Sequence, residues 1–274
     1  MNECWIILPH VKTYWHIKSD EKEIIEFFKM QYGNCVLQEN LDTFQYKDLI
    51  VLRESNEFYR VKKEDGFDEL IAAKAFPGFW NGLFLQNVSE EGYCYIHGSA
   101  AEINGKVFLF IGKSYSGKST LIAYLVAKGA EYISDDRLVL YTSEGKITPL
   151  TRGINLREET KELLEYKYNI SFQAEEYEFQ EYKRWRYMPL KLATEDKRVS
   201  CAFLLERKEE GNVLCEECNQ IEALNIYMEN SLSIPDLKNI VTYAQLAKTV
   251  KLYKLQYSSM EDVRKFLMET ELVV

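Results

Sequence analysis

Gly112-Lys113-Ser114-Tyr115-Ser116-Gly117-Lys118-Ser119 spells G-x-x-x-x-G-K-[ST] in full, between an apolar run from Val107 to Ile111 and a helical pattern that begins at Lys118. Strand, glycine-rich loop and helix in that order make a phosphate-binding loop. Successive backbone N–H groups of such a loop face a polyphosphate, and the helix that follows presents its positive end. Only glycine lets the backbone approach that closely. The stretch from Gly112 through Thr120 is therefore the candidate cradle, with Lys118 reaching the terminal phosphates and the Ser119 hydroxyl ligating Mg²⁺. ATP and Mg²⁺ are the cofactors this implies. The four fixed positions coincide by accident in roughly one chain of this length in a hundred.

Outward from the loop, each boundary has a chemical cause. Asn104-Gly105 lies between two β-rich runs, and both central residues of a type I′ turn need positive φ, so Tyr95 to Ile103 is expected to pair antiparallel with Lys106 to Ile111. The loop helix runs from Lys118 to Lys128, turns Leu121, Leu125 and Val126 toward a sheet, and stops at Gly129. Tyr132-Ile133 reads as a short strand ending at Ser134-Asp135-Asp136. Arg137 to Tyr141 and Ile147 to Leu150, around Ser143-Glu144-Gly145, suggest another hairpin.

The first 90 or so residues read as a small α+β module. Short strands are expected at Trp5 to Leu8 and Leu49 to Leu52, and an amphipathic helix from Glu21 to Tyr32 with Asp20 as its cap and Gly33-Asn34 as its stop. Ala72 to Leu85, with Phe76, Phe79, Trp80, Phe84 and Leu85, is expected to be core and to pack this module against the next. Beyond the loop region, Leu156 to Tyr166 reads as a charged helix. Val199 to Leu205 reads as a buried strand forming a hairpin, through Lys208-Glu209-Glu210-Gly211-Asn212, with a strand through Cys215. Asp236 to Ala247 and Met260 to Met268 read as helices around a strand from Val250 to Gln256. Gln173 to Tyr187 is polar and aromatic and fits no element.

The chain has 274 residues, enough for one large domain or two modest ones, and 46% hydrophobic residues supply a core. A formal net charge of −9 argues against nucleic acid as a partner, since phosphate backbones need a clustered basic surface. Six cysteines without regular spacing read as reduced thiols, and Cys215-Glu216-Glu217-Cys218 as a lone thiol pair in a hairpin. The N-terminus has no basic segment followed by a long apolar one, and no run approaches the roughly 18 apolar residues that span a bilayer. The cytoplasm is the expected compartment, with no membrane as partner.

A phosphate loop does not name its reaction. Asp135 and Asp136 close the strand after the loop helix, the usual place for a carboxylate that orients Mg²⁺; a second carboxylate is then free to accept a proton from an attacking hydroxyl. Adjacent aspartates at a strand end also cap turns. His97, fifteen positions before Gly112, lies on the strand that returns to the loop's mouth. Arg152, Arg157, Arg184 and Arg186 are candidate phosphate-stabilising charges or plain surface residues. Tyr182-Lys183-Arg184-Trp185-Arg186-Tyr187 has the composition to hold an extended peptide.

Taken together, His97-Gly98, the loop, and Gly129-Ala130-Glu131-Tyr132-Ile133-Ser134-Asp135-Asp136-Arg137 resemble the catalytic domain of HPr kinase/phosphorylase, over about Tyr93 to Leu140 and faintly at Val250 to Leu255. The resemblance implies an α/β P-loop kinase domain of the HPr kinase/PEP carboxykinase type over 91–274, behind the α+β module of 1–90. It implies that Lys118 and Ser119 serve ATP and Mg²⁺, that Asp135 or Asp136 is the general base toward a substrate serine, with Asp136 the candidate second metal ligand, and that His97 assists at the phosphoryl site. A glycine-rich signature after the Asp-Asp pair is not matched, so the likeness is to divergent relatives that phosphorylate a serine of a small ribosomal peptide. The partner on this reading is a peptide or small protein, and self-association to a homo-oligomer stays open. The competing readings are a kinase of a small hydroxylated metabolite and a non-catalytic nucleotide-dependent switch; the N-K-x-D motif of GTPases is not found.

Overall fold

The structure, a computed structural model, describes residues 1–7, 13–37, 45–80, 92–171, 173–179, 182–232 and 237–271. It is a mixed α/β protein in two compact units, Met1–Ser89 with Ala174–Arg186, and Glu90–Gln173 with Tyr187–Val274. Among the described residues no helix is long and apolar enough to cross a membrane.

In the first unit six strands lie in the order Val36–Leu37, Asn2–Ile6, Thr13–Ser19, Gln45–Arg53, Phe58–Lys63, Asp68–Ala72. The pairing is antiparallel throughout except between Thr13–Ser19 and Gln45–Arg53, which run parallel. Such a pairing needs a crossover, and the helix Lys22–Tyr32 lies in that connection, burying Ile24, Ile25, Phe27 and Phe28 on one face. Its N-cap is Glu21, without a side-chain cap; Asp20, expected there, instead accepts the Arg53 backbone N–H at 3.0 Å and ties the helix start to the sheet. Gly33, at φ 46°, ends the helix as expected. Phe76 and Trp80 belong to the core of this same unit, where the Trp80 indole N–H donates to the Tyr32 hydroxyl at 2.6 Å. Leu8, Phe84 and Leu85 lie outside the described residues.

The sequence left Gln173 to Tyr187 unassigned. It contains two strands, Ala174–Phe179 and Tyr182–Tyr187, and Ala174–Arg186 groups with the first unit although it follows the loop in the chain. Arg186 shows one reason. It is buried and donates from Nη1 at 3.2 Å to the Lys29 carbonyl, which also accepts the Gly33 N–H, in the last turn of the Lys22–Tyr32 helix, where the helix dipole favours a cation. Arg186, a candidate for holding a peptide on composition, is thus engaged at this helix end.

The second unit is organised around three parallel strands. The loop strand Lys106–Ile111 pairs with Lys197–Arg207, which pairs with Leu252–Tyr257. On the far side of the loop strand come Gly98–Ile103 and then Glu131–Ser134, both antiparallel to their neighbours. Asn104 and Gly105 turn the hairpin at φ 51° and 76°, as a type I′ turn requires. Leu214–Glu217 is not the hairpin partner of Lys197–Arg207; it pairs antiparallel with Leu252–Tyr257, which has inserted between them. A second branch leaves the start of Lys197–Arg207 and runs through Lys146–Thr148 and Leu138–Tyr141 to Tyr93–Ile96.

The branching places the site. One chain segment passes from Tyr93–Ile96, in the second branch, to Gly98–Ile103, in the first, and its neighbour passes from Glu131–Ser134 in the first to Leu138–Tyr141 in the second. Both cross at the same level, with Ser134 opposite Ala100 and Leu138 opposite Ile96, so His97 and Asp135-Asp136-Arg137 face each other at the seam. Gly98 makes the crossing sterically possible. A Cβ there would lie 2.8 Å from the Phe110 carbonyl oxygen and 2.8 Å from Leu138 Cδ1.

The loop helix Lys118–Ala127 buries Leu121, Leu125 and Val126 as expected, and with them every residue from Leu121 through Val126. It packs on Gly98–Ile103, Ile154–Leu156 and the last helix, Met260–Glu269. The expected charged helix over 156–166 begins later, as α-helix Glu158–Glu162 that continues as a π turn, Leu163–Lys167.

Candidate nucleotide and phosphoryl-transfer site

The loop has the conformation its glycines allow. Gly112 and Gly117 sit at φ 144° and 91°, and Tyr115 between them at φ 70°. The Lys118 ammonium folds back onto the loop, donating to the carbonyls of Gly112 at 2.7 Å and Lys113 at 3.0 Å. Burial lowers its pKa below the ordinary lysine value, against the pull of Asp135 and Asp136. Tyr257, at the end of the strand Leu252–Tyr257, donates its hydroxyl to the Ser116 carbonyl at 3.1 Å and so braces the loop from outside.

Asp135 and Asp136 are adjacent in sequence and opposite in environment. Asp135 is buried, and its Oδ1 accepts from the Ser99 hydroxyl at 2.6 Å and the Ser119 hydroxyl at 3.2 Å. Burial pushes its pKa up to about 6 even though those two hydrogen bonds pull it down, and the neighbouring Asp136 charge adds to the rise. Asp136, in a left-handed backbone conformation at φ 70°, is half-exposed. Its Oδ1 is 3.4 Å from His97 Nδ1, and its Oδ2 is 3.5 Å from Arg152 Nη1 and 3.9 Å from Arg137 Nε. Burial alone would raise this carboxyl; Arg152, Arg137, His97 and Lys118 outweigh it and hold the pKa below the usual aspartate value. His97 is held below the ordinary histidine value, chiefly by burial and then by Lys118, with Asp136 opposing, so its ring is neutral at neutral pH.

All the loop residues named from the sequence, together with His97, Asp135 and Asp136, therefore meet at one end of the parallel strands. Arg152, Arg137 and Ser99 join them. An arginine reads from sequence as surface, yet Arg152 and Arg137 are each 4% exposed. Ser99 was legible in principle, because alternate residues of a strand share a face and it stands two after His97. Arg157 stacks on the Tyr115 ring, and Arg184 belongs to the other unit. The six cysteines are free thiols, Cys215 partly exposed and the rest buried.

The residues present fit a magnesium nucleotide. The Ser119 hydroxyl and the Asp135 carboxylate are a hard oxygen pair of the kind Mg²⁺ takes, and a cation beside Asp135 would relieve its buried charge. The Ser116 hydroxyl oxygen is buried inside the loop without a hydrogen-bond partner, as expected of a group that faces a ligand.

No family model matches the chain, and no curated protein matches it. Among solved structures it is similar to the Hpr(Ser) kinase/phosphatase from Coxiella burnetii, at 13% sequence identity and a TM-score of 0.33, over 64% of this chain and 97% of that one. Values this low leave the chemistry to be read from the site itself.

Proposed function

We propose that this chain is an ATP-dependent phosphotransferase that moves the γ-phosphate to a hydroxyl, with a serine of a peptide or small protein as acceptor. The observation that carries the reading is the contact of the Ser119 hydroxyl with Asp135, at the junction of loop and neighbouring strand, beside a second and differently tuned carboxylate. The acceptor class rests on the resemblance of Tyr93 to Leu140 to HPr kinase/phosphorylase.

On this reading Ser119 and Asp135, rather than Asp136, hold Mg²⁺, which when bound draws charge from the phosphate oxygens. The Lys118 ammonium exchanges its two loop carbonyls for phosphate oxygens. Asp136, with its low pKa, is a weak base and an effective anchor. It orients His97 through Nδ1 and leaves the neutral ring's Nε2 to take the proton of the acceptor hydroxyl. Arg152 and Arg137 keep Asp136 ionised.

The test is ADP release from MgATP in the presence of pooled serine-containing peptides and, separately, of pooled hydroxylated metabolites, with products identified by mass spectrometry. Peptide-dependent ADP release with a phosphoserine product, lost in Lys118→Ala, is the expected result. Stimulation by metabolites alone moves the acceptor to a small molecule, and MgATP binding with no turnover in either pool makes the protein a nucleotide-dependent switch.

A further inference from the structure

Tyr115 is a residue that its own backbone disfavours. It holds φ 70°, a left-handed conformation suited to glycine, at the outer turn of the phosphate loop. Burial does not compensate, since the side chain is 81% exposed. What the ring touches is Arg157, whose guanidinium carbon lies 4.0 Å from the ring centroid, in the range of a cation–π stack. Arg157 directly follows the strand Ile154–Leu156, which packs on the loop helix, so its backbone is fixed relative to the loop.

The charge of Arg157 is not spent elsewhere. Arg152 and Arg137 both face Asp136, whereas Arg157 makes no ion pair among the described residues although Glu158 and Glu159 follow it in sequence. The ring of Tyr115 holds the Arg157 guanidinium beside the loop. An exposed, un-neutralised guanidinium within one side-chain length of a phosphate cradle is placed for a planar, bidentate grip on phosphate oxygens.

We propose that Arg157 is a second polyphosphate-binding cation of this site, held on the Tyr115 ring before and after a nucleotide enters, the stack leaving the N–H edge of the guanidinium free for the phosphate oxygens. The inference rests on the nucleotide reading above and adds a residue and a device to it. Tyr115 is then a positioning residue, and Arg157 a phosphate ligand.

The test is binding, measured by calorimetry on the full chain with MgATP and with magnesium tripolyphosphate, which has the phosphates without a base. Arg157→Ala is expected to weaken both ligands about tenfold, the loss of one charge-assisted contact, and to make binding less sensitive to salt. Tyr115→Phe, which keeps the ring, should bind as the wild type does. Tyr115→Gly should weaken both ligands several-fold. If Tyr115 served only loop geometry, glycine at φ 70° would bind as well or better, which overturns the proposal. Loss of MgATP affinity with tripolyphosphate unaffected would make the pair a base-stacking platform and overturn it as well. Unchanged affinity in Arg157→Ala while Lys118→Ala abolishes binding would refute the role of Arg157 and leave the nucleotide site standing. Absence of any wild-type binding would remove both.

Discussion

Replacing Asp135 by asparagine should change stability in a way that depends on pH, and the size of the change follows from the site. The carboxyl titrates at about 6 in the fold against 3.8 for a free aspartate. That gap of about two units, at about 1.4 kcal/mol each, means that the buried charge costs the free protein about 3 kcal/mol at neutral pH. Because the folded pKa is raised, the cost is absent below pH 3.8, grows as pH rises through about 6, and then levels off. Asparagine cannot ionise. Its carbonyl can still accept from Ser99 and Ser119, while its amide brings a pH-independent cost of about 1–3 kcal/mol if left unpaired. The difference in stability between variant and wild type should therefore shift by about 2.5 kcal/mol in the variant's favour between pH 4 and pH 7.5, whatever the constant offset. Urea unfolding at the two pH values, read at the exchange-protected amides of Lys106–Ile111, measures it. A pH-independent difference, or one that moves against the variant as pH rises, would refute the buried-charge account. The same variant should lose the part of MgATP stabilisation that depends on Mg²⁺, since it has given up the charge proposed to hold the metal.

Gly98→Ala should destabilise the second unit by about 1–3 kcal/mol in urea, because the new methyl meets the Phe110 carbonyl oxygen at 2.8 Å and a backbone atom in mid-sheet cannot step aside. His97→Gln should make the protein less sensitive to acid. The folded pKa of His97 lies below 6.5, so the unfolded chain binds the proton first and stability falls as pH drops from about 6.5 toward the folded value, a loss that glutamine removes from the melting profile. The same change should lower phosphoryl transfer by about 10²- to 10⁴-fold while leaving MgATP affinity within a few-fold. Arg186→Ala should cost about 1.5–3 kcal/mol by removing a charged hydrogen bond to the Lys29 carbonyl, yet leave the Km for an acceptor peptide unchanged, which separates a helix-end contact from a peptide grip.

What the sequence disclosed was local. The glycine turn from Gly112 to Gly117 ahead of a helix, the Asn104-Gly105 hairpin and the helix stop at Gly129 each depend on a few consecutive residues whose backbone needs are written in their types, and all three stand at the expected places. Several elements were missed although their signals were present, among them the strand Thr13–Ser19, rich in β-branched and aromatic residues, and the helix Gln220–Glu229, announced by the capping box of Asn219 and Glu222. Other features were not legible at all. Leu214–Glu217 follows Lys197–Arg207 closely enough to suggest a hairpin, and only a strand from about forty residues further on, inserted in parallel, displaces it. The site shows the same limit. Asp135 and Asp136 are equivalent on paper; one becomes a buried acceptor of two serine hydroxyls and the other an exposed partner of two arginines because the strand leaves one branch of the sheet for the other between them.

The central claim is that the loop at Gly112 to Ser119 binds a magnesium nucleotide through Lys118 and the Ser119–Asp135 pair. Calorimetric titration of the purified chain with ATP, with and without Mg²⁺, tests it most directly when run beside Lys118→Ala and Asp135→Asn. The account predicts one saturable site in the wild type that tightens with Mg²⁺, no measurable binding in Lys118→Ala, and binding in Asp135→Asn that no longer responds to Mg²⁺. A wild-type chain that takes up no ATP, or a folded Lys118→Ala that binds it equally well, would contradict it.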